Sequence, residues 1–74
     1  MTILAVEQND SGNAVVEARS GMTGEVHSRE IPISKKALMK GLADRAAVGL
    51  SIQAVFPGLS ADDREYLMTG ITPE

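Results

Sequence analysis

The chain carries one imidazole and no thiol, so base or nucleophile chemistry in it centres on His27. Hydrolytic catalysis needs a nucleophile within hydrogen-bond reach of a base that a third group orients. His27 would be that base. It stands between Glu25 and Arg29 in a segment that reads as a strand, where alternation puts all three on one face. A row of this kind reads as a solvated sheet face. Asp62, Asp63 and Glu65 invite a metal or acid–base reading, but their spacing matches no calcium loop, and acids in a first helical turn complement the helix dipole. There is no Gly-x-Gly-x-x-Gly and no Walker-type Gly-Lys pair to cradle phosphates. A substrate pocket of ordinary volume would consume much of so small a core. No catalytic residue, cofactor or metal is expected, and the chain reads as a non-enzyme.

What remains is surface chemistry. Arg and Tyr are enriched where proteins grip one another, which singles out Arg64 and Tyr66 with Glu65 between them. The alternative is that Tyr66 packs with Leu59, Leu67 and Ile71 against the first helix while Arg64 pairs with a local acid. The candidate partner-binding set is Glu25, His27, Arg29, Asp62, Asp63, Arg64, Glu65 and Tyr66. Lys35, Lys36 and Lys40 form the one basic cluster, read either as the wet side of an amphipathic helix or as a phosphate site. The net charge of -3 and pI near 5.0 oppose a nucleic-acid backbone at long range. Phe56 and Tyr66 are the only aromatics, too few to stack single strands.

These residues must be positioned by short elements. Thr2 to Gln8, Asn13 to Ser20 and Gly24 to Ile31 read as strands, joined at Asn9-Asp10-Ser11-Gly12 and at Ser20-Gly21-Met22-Thr23-Gly24. In the second, Ala14, Val16 and Ala18 share one face and Val15, Glu17 and Arg19 the other. Pro32 ends the third strand, and Ser34 caps a helix whose stripe is Leu38, Met39, Leu42, Ala43 and Ala46. Gly49 interrupts it; Leu50, Ile52, Val55 and Phe56 suggest a short helix or bent continuation stopping before Pro57. Ser60 with Asp62 and Asp63 starts a third helix, about Ala61 to Thr69, closed by Gly70 with Pro73 beyond. The fold class is α+β: a three-stranded antiparallel N-terminal sheet, then two or three short helices packed on one of its faces. Local pattern leaves open whether the strands form a meander or are split by the returning helices.

Seventy-four residues make a single domain, 1–74, with a β-hairpin or meander region over 1–33 and a helical region over 34–74. With no cysteine and one histidine, neither disulfides nor zinc can reinforce it. Thr2-Ile3-Leu4-Ala5-Val6 is too short for a secretion signal, and no stretch approaches a membrane span, so a cytoplasmic protein without a membrane partner is expected. Asn9-Asp10-Ser11 fits a glycosylation pattern formally; without an export signal it reads as a chance match.

Three stretches, Arg19 to His27, Ile52-Gln53-Ala54-Val55-Phe56-Pro57 and Leu59 to Glu74, resemble a group of small phage- and prophage-type proteins. The shared signature is a Thr-Gly strand turn, an Ile-Gln-x-x-Phe-Pro step, and an Arg-Glu-aromatic-Leu helix followed by Thr-Gly-Ile-x-Pro-Glu. The resemblance, taken from the second hairpin onward, covers about two thirds of the chain and implies a phage or mobile-element setting, hence a host-cell cytoplasm, and no mechanism. Members of that group continue past the Pro-Glu with a tryptophan, where this sequence has Glu74 last. The expected function is a non-enzymatic protein-binding module acting on a larger host or viral protein, in its most specific form an anti-CRISPR-like inhibitor of a host defence complex whose basic channel an acidic surface would cover. A homo-oligomeric assembly accessory, for instance a homodimer burying its free sheet edge, is the second reading. A nucleic-acid-binding regulator using Lys35, Lys36, Lys40 and Arg45 is the third.

Overall fold

The computed structural model describes residues 2–70. Strands β1 (Thr2–Gln8), β2 (Ala14–Arg19) and β3 (Val26–Ile31) precede helices α1 (Lys35–Val48), α2 (Ile52–Val55) and α3 (Ala61–Thr69). The sheet order is β1-β2-β3 with both pairings antiparallel, which settles the strand order as a meander. In the first connection Asn9 Oδ1 accepts from the backbone N–H groups of Ser11 and Asn13 at 3.1 and 3.0 Å. Gly12 then turns the chain at φ 82°, a region where a Cβ would be strained.

The register sorts the side chains. On the inner face the rows are Gln8–Ala14–Ile31, Val6–Val16–Arg29 and Ile3–Ala18–His27; on the outer face they are Glu7–Val15–Glu30, Ala5–Glu17–Ser28 and Thr2–Arg19–Val26. Leu4 is the extra residue at the one register shift. Ala14, Val16 and Ala18 are fully buried, as their alternation requires. The same register corrects the reading of Glu25, His27 and Arg29 as a wet row, because His27 and Arg29 lie on the inner face beneath the helical layer, while Glu25 precedes the strand and is exposed.

Each helix begins at a serine whose hydroxyl accepts from an N–H three residues on: Ser34 from Ala37, Ser51 from Ala54, Ser60 from Asp63. Gly49 and Gly70 end α1 and α3 in the left-handed conformation, their N–H groups bonding to Arg45 O and Tyr66 O. Gly49 is therefore a terminator and α2 a separate turn of helix, not a bent continuation.

The core joins the inner sheet face to Leu38, Ile52, Phe56, Leu59, Tyr66 and Leu67. Burying each large side chain contributes about 1.5–3 kcal/mol. The stripe expected on α1 is only partly used: Leu38 is buried and Leu42 half-buried, but Met39, Ala43 and Ala46 are exposed. The buried arc runs instead through Leu38, Gly41, Leu42 and Arg45. Gly41 causes this rotation, because a Cβ there would meet the Phe56 ring at 2.4 Å and Val55 Cγ1 at 2.7 Å. Only without a side chain at 41 can α2 lie this close to α1.

Candidate functional site

Tyr66 is a core residue, and its candidacy as an exposed binding anchor is overturned. It is 0 % exposed, and its hydroxyl lies 2.8 Å from the backbone oxygen of Val16 and 2.8 Å from that of His27. One proton serves two carbonyls on adjacent strands, so it is shared or alternates between them. Burial pushes the phenol pKa above its ordinary 10.0; the backbone N–H of Ala18 opposes that shift, Glu17 adds to it and Arg29 offsets it. Tyr66 thus packs on the sheet through β2 and β3. Ile71, expected beside it, lies outside the described residues, as do Pro73 and the rest of the closing tail.

Asp63 is also withdrawn from the binding set. Its carboxylate accepts from Arg29 Nε at 2.8 Å, with the two side chains 10 % and 21 % exposed. Its backbone N–H donates to Ser60 Oγ at 3.1 Å. The acid that opens α3 therefore both favours the helix N-terminus and fastens the helix to β3. Arg29 is consumed in the same contact and is no free surface cation. Arg64 is half-buried, donating from Nη1 to Leu59 O at 3.0 Å rather than to an acid. His27 Nε2 lies 3.2 Å from Glu25 Oε2 at the sheet margin. Asp62 and Glu65 are exposed. The eight candidates thus do not converge: five serve the β3–α3 junction or their own loop, and Glu25, Asp62 and Glu65 are exposed. Among the described residues no group of three or more His, Asp and Glu is placed to hold a metal ion, and no helix is long and apolar enough to cross a membrane.

The concave site lies elsewhere. A cavity of about 530 Å³ opens between α1 and α2, lined by Ile33, Ala37, Gly41, Val55, Phe56 and Leu59 among others, with Lys40 and Asp44 at its rim. That volume falls within the range of ordinary small-molecule and side-chain sites. The sequence suggests that a pocket of ordinary volume would consume much of so small a core; here the space is an open groove whose walls include the core residues Phe56 and Leu59. Lys40 Nζ meets Asp44 Oδ2 at 2.9 Å, both side chains largely in water. Outward from the groove α1 presents Met39, Ala43 and Ala46, and Leu50 on its far wall is 43 % exposed. α1 also holds four of the seven lysines and arginines and one of the ten acids. Hydrophobic periodicity missed this site because the pivot is a glycine, invisible to any apolar count. The signal that marks it is Gly41 itself, an isolated glycine inside a helical pattern, which commonly has a packing reason.

Comparison of the chain with protein-family models, with curated proteins and with solved structures returns no match.

Proposed function

We propose that the chain is a protein-binding module that acts by occupying a surface of a larger protein. The observation that carries this reading is the apolar surface left outside a small core: the α1–α2 groove, with exposed Leu50 in its wall. A contiguous apolar patch around a concavity, with polar residues at its edge, is what partner recognition uses. The polar side chains that line the groove are one lysine and one aspartate, paired in water at the rim. The test is affinity capture by the intact chain, repeated with Ala54→Trp, which fills the groove from an exposed position. A stoichiometric partner lost with that change supports the reading; recovery of no stoichiometric partner refutes it. Replacing Tyr66 is unsuitable for this purpose, because it would undermine the fold.

The more specific version, inhibition of a host defence complex in the anti-CRISPR manner, draws on the phage-type resemblance and on the acidic outer sheet face bearing Glu7, Glu17 and Glu30. It predicts that reversing those three charges abolishes inhibition. A homo-oligomeric accessory is the second reading, favoured by β1, an edge strand with one acid, no proline, and Ile3 and Leu4 exposed. Sedimentation that shows a monomer at micromolar concentration removes it.

A further inference from the structure

We infer that the α1–α2 groove receives an acidic amphipathic segment of the partner protein, one apolar side chain entering between the helices while neighbouring carboxylates meet Lys36 and Lys40. This rests on the protein-binding reading and names the chemistry of the partner. The groove selects the anchor. Of the residues around it only Lys40 and Asp44 carry polar side chains, so below the rim no side chain can hold a phosphate, a sugar or a base edge. An aromatic or branched aliphatic side chain entering there covers Leu50, Ala54 and the exposed part of Val55.

Charge selects the flanks. Lys36 stands one helical turn before Lys40, the lysine at the groove rim, and this i,i+4 spacing puts two ammonium groups on one line along α1. Lys36 forms no ion pair among the described residues, and Lys40 meets only Asp44. Beyond α1 acids outnumber bases, on the outer sheet face and at the start of α3 alike. An acidic segment is therefore repelled from most of the molecule and drawn to this helix. A nucleic-acid duplex fits the same lysines less well: it offers phosphates but no apolar knob for the groove, and both aromatic rings that could stack on bases are buried.

The test is selection of peptides from a random library on the intact purified chain, followed by fluorescence anisotropy with the selected peptides. Enrichment of Asp and Glu beside an aromatic or branched aliphatic residue is expected. Lys36→Glu with Lys40→Glu should weaken binding about tenfold, Ala54→Trp should abolish it, and Asp44→Asn, which releases Lys40, should tighten it. Glu65→Lys on α3 should leave it unchanged, and circular dichroism verifies each fold. Selected peptides without acids, no selected peptide at all, indifference to Ala54→Trp and the lysine reversals, or tighter binding of a DNA duplex through the same lysines would each overturn the inference. Capture of a stoichiometric partner insensitive to Ala54→Trp would sink this site alone, whereas failure of capture altogether sinks the broader reading.

Discussion

The Tyr66 hydroxyl holds together elements that adjoin nowhere in sequence, since its two carbonyl partners lie 39 and 50 residues upstream. Tyr66→Phe keeps the ring and removes both hydrogen bonds, an expected loss of about 1–3 kcal/mol measured by urea denaturation. The pH dependence has a definite sign. The folded phenol keeps its proton above 10.0, where the unfolded chain releases it. Stability should therefore be level below pH 10 on this account and fall as pH rises further, a fall that Tyr66→Phe removes. On the other flank of the sheet Asn13, and less so Asn9, holds the Glu30 carboxyl below its ordinary 4.5. That contribution is present above pH 4.5 and is lost as pH falls through the folded value; Asn13→Ala should return the Glu30 titration, followed by NMR, to the ordinary range. Arg29 and Asp63 should show coupling of about 0.5–3 kcal/mol in a double-mutant cycle. None of these pairings was legible in the sequence. Asp63 could be recognised as a first-turn acid from its neighbours, but its partner on β3 is 34 residues away.

At the scale of elements, punctuation was legible and rotation was not. Ser34, Ser60 and Gly70 occupy the capping positions their residue types suggest, because a cap is decided by three or four adjacent residues. Ser51 escaped notice because α2 is a single turn, too short to show a period. The rotation of α1 depends on a contact with Phe56, and only the assembled pair shows it. Gly41→Ala tests that contact: the added methyl improves intrinsic helix propensity by about 1 kcal/mol, yet it must displace a buried ring, costing about 1–3 kcal/mol. Net destabilisation in urea is expected. A stabilised variant would mean that the ring yields freely. Ser60→Ala should cost about 1 kcal/mol through loss of the α3 cap.

For the whole molecule, fold class followed from the order of patterns, strands first and helices after, with Pro32 between them. The candidate site did not follow, because it forms where two helices converge without closing, and the residues around it are ordinary apolar ones. The sheet's inner rows show how completely the second half of the chain finishes the first. A chain cut after Pro57 should therefore show no cooperative unfolding transition, since Leu59, Tyr66 and Leu67 would be missing from the core. Synthesis runs in that direction too: the three strands leave the ribosome before the helix that roofs them. Until the codon for Tyr66 is read, Val16 and His27 have no hydroxyl to meet, and a paused nascent chain would present to chaperones the part of the sheet face that Tyr66 and Leu67 cover. Slow codons in the stretch encoding α3 should accordingly lower the yield of native protein more than the same codons placed in β1.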